Sequence, residues 1–301
     1  MDRRNAATSL AAAAVAVVIA AGHRPANAGV PEAGKTASGS RPSFVETRDG
    51  ASLFYNDWGV GTPVLFTHPW SLNADIWEYQ LTELADHGLR CVAYDRRGHG
   101  RSTDPGRGYD YDTLADDLAT VIDQLDLHDV TLIGYSMGNG EAVRYLSRHG
   151  GSRIARLVMV STIPPQSEGS LFKGLISALK RDRPAFFAGG VAAFTGGHPA
   201  VSPAMTDWVV AQFMRASPKA TIDCMRAISA GDFRAELRAV AVPALVVHGD
   251  KDQVNPLDKT ARKVAELIPG CQLQVYEGAP HGLALTHRDR LVQDILAFAR
   301  G

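Results

Sequence analysis

From about Ser43 onward the chain alternates between short apolar runs and longer amphipathic stretches. Six runs of strand length are nearly continuous in apolar residues: "TPVLFTHPW", "LRCVAYDRRGHG", "VTLIGYS", "IARLVMVST", "VPALVVHGD" and "CQLQVYEGAPHG". Continuous rather than alternating apolar residues are typical of strands buried on both faces of a parallel sheet. Before them, "SFVETRD" and "SLFYNDWG" flank the turn residues "GA" and predict an opening antiparallel pair.

Helices are predicted between these strands. The segment "DTLADDLATVIDQLDL" places apolar residues close to a 3.6-residue period, at Leu114, Leu118, Val121, Ile122 and Leu125. The segments "DKTARKVAELI" and "RDRLVQDILAFAR" follow a similar pattern. Strand and helix in alternation predict an α/β fold, with a mostly parallel central sheet and helices on both of its faces.

One long segment interrupts this alternation. Between "TIPP" and "VPALVV" nearly 80 residues show helical patterning and little strand signal. An insertion of that length between two strands is usually functional, so we predict a helical cap over about residues 165–235. The alternative for most of its aromatic side chains is that they only form the small core of the insertion itself. These side chains are Phe172, Phe186, Phe187, Phe194, Trp208 and Phe213.

The first residues have a different character. Arg3 and Arg4 precede the uncharged apolar run "LAAAAVAVVIAA", and "ANA" has the form of a cleavage site, so residues 1–28 are predicted to be a signal peptide of a secreted or periplasmic protein. The run is shorter than the roughly 20 residues of a membrane span, so no stable membrane anchor is expected. Residues 29–42 are small and polar and predict a flexible tether to a single domain over residues 43–301.

The sequence leaves open both the export route and whether residues 1–28 are an export signal. Paired arginines suggest a twin-arginine signal, but Ala6 and Ala7 lie where such signals usually carry bulkier apolar residues. The alternative is a start codon placed too early, or a disordered tail.

Composition narrows the class of partner. The 301 residues are 45% hydrophobic and 21% charged, with a formal net charge of −1, which is ordinary for a globular protein. Without blocks of Lys and Arg, neither a nucleic-acid nor an anionic-membrane partner is expected. The three cysteines lie far apart, so neither a disulfide framework nor a zinc site is predicted. A neutral or mildly polar small molecule is the expected partner, and a homo-oligomer stays open.

The stretch Gly134 to Gly138, "GYSMG", follows an apolar strand and precedes a helical segment. This G-x-S-x-G pattern is typical of a nucleophile elbow, in which the chain turns too sharply for side chains on either flank of the serine. The pattern therefore makes Ser136 the candidate nucleophile.

A serine hydroxyl needs a base to remove its proton, and a carboxylate to orient that base. In this architecture the chain order is serine, acid, histidine. His281, in "EGAPHGLA" after a strand, is the candidate base. Asp250 and Asp252 compete for the acid in "HGDKDQVNP"; we favour Asp252 and expect Asp250 to shape the turn.

The oxyanion that forms during acyl transfer requires two backbone N–H donors. One is predicted at Met137, directly after the nucleophile, and the other in the loop that follows the strand "VLFTHPW". We assign the second donor to Trp70, because Pro69 has no N–H.

Several of these segments carry a family resemblance. The motifs "THPW", "ADIWEYQ", "YDRRGHGRS", "GYSMGNGEAVRYLSRHG", "SPKATIDCMRAISAGDFR", "VVHGDKDQVNP" and "APHGLALTH" are similar to those of the cofactor-free haloperoxidase and aryl esterase group of α/β hydrolases. The resemblance extends from about Ser43 to Gly301. It implies a triad of Ser136, Asp252 and His281, a helical cap, and activity on small or aryl esters.

The resemblance also implies perhydrolysis, in which hydrogen peroxide intercepts the acyl-enzyme and the resulting peracid oxidises halide without heme, vanadium or another metal. No cofactor is therefore expected. Candidate pocket residues are Trp70, Trp77, Phe186 and Phe187, although the tryptophans could instead only pack their loop. Two positions depart from the family pattern, which usually has glycine at both: Pro69 could alter the oxyanion loop, and Asn139 should be tolerated.

Other reactions occur on the same fold. A dehalogenase or an epoxide hydrolase requires a carboxylate nucleophile, and Ser136 argues against both. Hydrolysis of lactones or carbon–carbon bonds, or cleavage of hydroxynitriles, could use the same triad. A non-catalytic ligand-binding homologue is the rival from another class, but such proteins often lose a member of the triad.

Overall fold

The structure is a computed structural model, and it describes residues 43–167, 169 and 172–301. The predicted signal peptide and tether lie outside these residues. Within them a sheet of eight strands is present: β1 (Phe44–Glu46), β2 (Ser52–Trp58), β3 (Thr62–Phe66), β4 (Leu89–Tyr94), β5 (Val130–Tyr135), β6 (Ile154–Val160), β7 (Ala244–Gly249) and β8 (Gln272–Tyr276).

The helices of the described residues are α1 (Glu78–Asp86), α2 (Tyr111–Gln124), α3 (Met137–His149), α4 (Phe172–Arg181), α5 (Arg183–Thr195), α6 (Pro203–Met214), α7 (Pro218–Ala230), α8 (Arg234–Arg238), α9 (Ala261–Leu267), α10 (Leu283–Thr286) and α11 (Arg288–Arg300). Short 3-10 helices cover Ala74–Trp77 and Leu257–Lys259. No helix in this part of the chain is both long and apolar enough to cross a membrane.

The strand order across the sheet is β1-β2-β4-β3-β5-β6-β7-β8. The predicted opening pair β1 and β2 is antiparallel, and β2 also pairs antiparallel with β4, whereas all later neighbours are parallel. Parallel strands end at the same edge of a sheet, so the loops that follow β3, β5, β7 and β8 gather there. The predicted mostly parallel sheet of an α/β fold is confirmed.

Two apolar clusters cover the two faces of the sheet. Leu65 and Leu132 point to the face that packs against α2, α3 and α9, and Phe66 and Ile133 point to the face that packs against α1 and α11. Every residue of β5 is buried, because helices cover both sides of this central strand. Burying one such side chain stabilises the fold by about 1.5–3 kcal/mol, so the clusters hold the strand ends in fixed positions.

Five helices, α4 to α8, lie between β6 and β7. Proline begins α6 and α7, and Pro184 lies in the first turn of α5; proline is favoured there because its fixed φ suits the first turn of a helix. Helices α4 to α7 fall within residues 165–235, where the sequence predicts a cap, and α8 extends beyond that range. The role of these helices as a cap stays a prediction.

Candidate active site

Ser136 lies in the sharp turn between β5 and α3. Its φ is 52°, in the left-handed region that is unfavourable for a residue with a Cβ. The flanking glycines are required by space rather than by φ: a Cβ on Gly134 would lie 2.7 Å from Asn139 Oδ1, and a Cβ on Gly138 would lie 2.3 Å from Thr67 Oγ1. The lack of room for a Cβ on either flank therefore explains a serine between two glycines.

Three residues from distant parts of the chain meet at this turn. Ser136 Oγ lies 3.1 Å from His281 Nε2, and His281 Nδ1 lies 2.7 Å from Asp252 Oδ2. All three side chains are buried. The structure thus brings the predicted nucleophile, base and acid into hydrogen-bond contact in the order that acyl transfer requires.

Asp252 is held in the loop after β7. Its Oδ1 accepts hydrogen bonds from the backbone N–H of Val254 at 2.9 Å and of Asn255 at 2.7 Å. Burial opposes its ionisation, but the charge of His281 and the hydrogen bonds of His281, His248 and Asn255 hold the pKa of the Asp252 carboxyl well below its usual range. The carboxylate is therefore ionised and can balance a positive charge on His281.

Asp250, the competing aspartate, does something else. Its Oδ1 accepts the backbone N–H of Gly278 at 2.7 Å, and its side chain is partly exposed. The bond ties the loop after β7 to the loop after β8, which carries His281. Of the two aspartates, Asp252 is the one that contacts the histidine.

The two predicted oxyanion donors have no competing partner among the described residues. Within the described part of the chain, no protein acceptor is recorded for the backbone N–H of Trp70 or of Met137. Met137 begins α3, where the first N–H groups have no partner inside the helix. The close approach of Gly138 to the carbonyl of His68, 3.1 Å from a hypothetical Cβ, shows that the Trp70 loop lies directly against the elbow.

A buried contact between Arg96 and Glu141 supports that loop. Arg96 Nη2 donates to the His68 carbonyl at 2.8 Å and to Glu141 Oε2 at 2.7 Å. Burial raises the pKa of the Glu141 carboxyl well above its usual range, and Arg96 is the cation that it contacts. Since Glu141 lies on α3, the pair links the nucleophile helix to the loop that precedes Trp70.

The helices between β6 and β7 contact the same loop. The indole N–H of Trp70 donates to the carbonyl of Thr221 on α7 at 2.9 Å. On α5, the rings of Phe186 and Phe187 lie 6.2 and 5.6 Å from the Trp70 ring. Three of the four candidate pocket residues therefore form one aromatic group.

Trp77 is in different surroundings. It is fully buried, its ring packs against Phe66 and Tyr135, and its indole N–H donates to the Thr67 carbonyl at 3.2 Å. These contacts are those of a packing residue, the alternative to a pocket role for Trp77.

Asn139, the second departure from the family pattern, is buried. Its Nδ2 donates to the Val160 carbonyl at 2.9 Å. The side chain thus has a partner at the end of β6, which agrees with the expectation that it is tolerated.

Four further residues of the site were not identified from the sequence. Phe194 of α5 packs edge-to-face against His281 at 5.7 Å between ring centroids. Tyr135 and Ser161 donate to the carbonyl of His281, and His248 lies against Asp252. The spacing of His248 four residues before Asp252 is visible in the sequence, but its meaning depends on the loop that brings the two side chains together. No group of three or more potential metal ligands occurs among the residues described.

Comparisons with known proteins identify the family. The family model for the alpha/beta hydrolase fold matches residues 62–198. The chain is 41% identical to a non-heme chloroperoxidase of Kitasatospora aureofaciens, over 84% of this chain and 97% of the relative. It is 36% identical to a bifunctional esterase/perhydrolase of Acinetobacter calcoaceticus, over 85% of this chain and 99% of the relative.

A solved structure gives the same result. An esterase from Exiguobacterium antarcticum is similar with a TM-score of 0.82 and 33% identity, over 86% of this chain and 99% of that chain. Fold and site define an α/β hydrolase, and the chain belongs to that family. Within the family it is an enzyme of the group that contains the non-heme haloperoxidases and their esterase relatives.

Proposed function

We propose that the protein is a serine hydrolase that cleaves small or aryl carboxylic esters through an acyl-enzyme. The observation that carries the proposal is the unbroken contact from Ser136 Oγ through His281 to Asp252, at 3.1 and 2.7 Å. The names of the relatives, a chloroperoxidase and an esterase/perhydrolase, support the same chemistry.

The proposed reaction begins when Ser136 Oγ attacks the ester carbonyl and His281 Nε2 takes the hydroxyl proton. The N–H groups of Trp70 and Met137 stabilise the oxyanion, and one such donor is typically worth about 100- to 1000-fold in turnover. The ester C–O bond then breaks, and His281 gives the proton to the leaving alcohol. Water repeats the attack on the acyl-enzyme and releases the acid.

We propose perhydrolysis as the second activity of the same acyl-enzyme. Hydrogen peroxide attacks the acyl carbonyl in place of water, the bond to Ser136 breaks, and the proton returns to the serine through His281. The product is a peracid, which transfers one oxygen to halide and becomes the carboxylic acid. The chloroperoxidase relative supports this step.

The test is turnover of p-nitrophenyl acetate and phenyl acetate, with hydrogen peroxide and bromide as a second arm. Ser136→Ala should abolish both activities, and Asp252→Asn should reduce ester turnover by about 10⁴-fold. Asp250→Asn is the matched control, because it changes a carboxylate in the same loop that does not contact His281.

Labelling by a fluorophosphonate separates the remaining outcomes. An enzyme that takes up the label at Ser136 but hydrolyses neither ester would have another substrate class, and lactones and diketones are the next substrates to assay. A protein that takes up no label would contradict the proposed nucleophile.

We also propose that the protein is exported after cleavage behind Ala28. The support is the pattern of the first 28 residues: two arginines, an apolar run and a small-residue cleavage site. The mass and N-terminal sequence of the protein recovered outside the cytoplasm test this proposal, and an uncleaved N-terminus would contradict it. Sedimentation of the same preparation tests whether the protein is a homo-oligomer.

A further inference from the structure

His248 is a buried titratable residue that the proposed reaction does not use. It lies at the end of β7 and is fully buried. Its Nδ1 faces the backbone N–H of Thr162 at 3.1 Å. A ring nitrogen that faces an N–H donor acts as the acceptor, so in the neutral ring the proton is on Nε2.

The Nε2–H of His248 faces the loop that carries the acid. Nε2 lies 2.8 Å from the carbonyl oxygen of Asn255 and 3.2 Å from Asp252 Oδ2. The same Asp252 oxygen is the one that contacts His281 Nδ1 at 2.7 Å. One carboxylate oxygen therefore lies between two imidazole rings.

We infer that His248 is a positioning residue for Asp252. Its Nε2–H fixes the loop of Asp252 through Asn255, and it reduces the negative charge on the carboxylate oxygen that orients His281. The inference rests on the proposed function, because it assigns a role within the same triad. His248, a residue outside the triad, would then help to set how strongly Asp252 holds His281.

The fixing of the loop follows from the pattern of hydrogen bonds. Asn255 N–H donates to Asp252 Oδ1, and the Asn255 carbonyl receives the His248 proton. Asn255 therefore contacts Asp252 through its N–H and His248 through its carbonyl, so His248 holds a residue that holds the carboxylate. Thr260 Oγ1 donates to the same Asn255 carbonyl at 3.2 Å, so the segment is fixed from two directions.

The effect on charge follows from the number of donors. Asp252 receives two backbone N–H groups on Oδ1 and faces two imidazoles on Oδ2. Each donor lowers the basicity of a carboxylate. Loss of the His248 donor would leave more negative charge on Oδ2 and so would stabilise the protonated form of His281. The titratable groups that face Asp252 are His281, His248 and, by its charge interaction, Tyr135.

Two substitutions separate the two sides of the ring. His248→Asn keeps an acceptor near the Nδ1 position for Thr162 but has no donor that reaches Asp252. His248→Gln places an amide N–H near the Nε2 position. We expect His248→Asn to move the acid limb of the kcat/KM profile to higher pH by about half a unit to one unit, and to lower kcat by about tenfold with little change in KM. In His248→Gln the acid limb should return to the wild-type position.

The pH profile decides between positioning and general damage to the fold. A structural loss would lower activity equally at all pH values, or equally in both variants, and either result would overturn the inference. Ester turnover by the wild type with Ser136→Ala beside it is measured in the same series. If the wild type hydrolyses esters and the His248 variants keep its profile, only the present inference fails; if the wild type is inert, the proposed function fails.

A measurement on the wild type keeps the inference testable should His248→Asn not fold. Long-range ¹H–¹⁵N NMR spectra of histidine-labelled protein report which ring nitrogen carries the proton, and His248→Gln assigns the signal. The Nε2–H form is expected at pH 8. The Nδ1–H form would remove the donor from Asp252 and overturn the inference.

Discussion

The phenol of Tyr135 donates a hydrogen bond of 2.7 Å to the carbonyl oxygen of His281. Tyr135 directly precedes Ser136, so the turn that presents the proposed nucleophile also fixes the main chain of the proposed base. Ser161 Oγ donates to the same carbonyl at 2.9 Å. Burial and the charge of Asp252 raise the pKa of Tyr135 well above its usual range, so the phenol remains a neutral donor.

Removing this donor should reduce turnover more than substrate binding. We expect Tyr135→Phe to lower kcat by about fivefold to tenfold with KM nearly unchanged, because a lost buried hydrogen bond corresponds to about 1 kcal/mol. Steady-state kinetics measure kcat and KM, and urea unfolding of the same preparation measures the stability of the variant.

Tyr145→Phe, on α3, is the matched control for loss of a phenol from a buried ring. The double variant of Tyr135→Phe with Ser161→Ala should lose more than the sum of the single losses, because it leaves the carbonyl without either donor. Equal kcat in Tyr135→Phe and Tyr145→Phe would contradict the role of the bond.

Asp252 should make the stability of the fold depend on pH. Its folded-state pKa is lowered, so in acid the unfolded chain binds a proton at this residue that the folded chain does not. The stabilisation is therefore fully present above the unfolded pKa of about 4 and is lost as the pH falls toward the folded pKa. Between pH 5 and pH 3 we expect Asp252→Asn to lose less free energy of unfolding than the wild type, by about 1 kcal/mol.

Urea unfolding at a series of pH values measures this slope. Asp250→Asn is measured beside it as the control, because it removes a partly exposed carboxylate of the same loop that does not contact His281. Identical slopes for the wild type and Asp252→Asn would show that the Asp252 carboxylate has no such depressed pKa.

The sheet, the candidate nucleophile and the candidate base were predictable from local patterns. The apolar runs around β3 to β8 are continuous because both faces of these strands are covered, and burial on both faces is what such a run records. Ser136 is marked by its two glycines, since each flank has no room for a Cβ. Chain order and the places after β7 and β8 indicate His281 as the base and either Asp250 or Asp252 as the acid. Asp252 was favoured of the two, and its contact with His281 separates it from Asp250.

The supporting contacts were not predictable, because they depend on packing between distant segments. Thr221 on α7 receives the Trp70 indole N–H across 151 positions of the chain, and nothing near either residue indicates the other. Phe194 was one aromatic residue among several in the insertion, and only the docking of α5 places it against His281. Trp77 carries the same apolar signal whether it lines a pocket or fills the core.

Phe194 should limit the size of the substrate beside the base. Its ring lies edge-to-face with His281, and its carbonyl accepts the backbone N–H of Gly282 at 2.6 Å. Phe194→Ala keeps the backbone bond and removes the ring. We expect the ratio of kcat/KM for p-nitrophenyl butyrate to that for the acetate to rise by about tenfold, because a methylene in an apolar pocket is worth about 1–3 kcal/mol.

The two esters are compared in one assay series with Leu175→Ala as the control, since Leu175 lies on the exposed side of α4. An unchanged ratio in Phe194→Ala would place the acyl group away from this ring.

The contact between the elbow and the Trp70 loop should be sensitive to a single methyl group. In Gly138→Ala the new Cβ would lie 2.3 Å from Thr67 Oγ1 and 3.1 Å from the His68 carbonyl, so the loop must move away from α3. A displacement of that size at a catalytic loop can cost about 100-fold in rate, and overpacking of a buried site typically costs about 1–3 kcal/mol of stability.

Gly189→Ala is the matched control, because Gly189 is also helical and a Cβ there meets nothing within 4 Å. Alanine is favoured over glycine inside a helix by about 1 kcal/mol, so this variant should be slightly more stable than the wild type and equally active. Ester kinetics and thermal unfolding of the two variants are measured together.

We expect Gly138→Ala to keep fluorophosphonate labelling at Ser136 but to label more slowly, since the nucleophile stays in place while its oxyanion donors shift. Wild-type turnover in Gly138→Ala would show that the Trp70 loop is not held against the elbow.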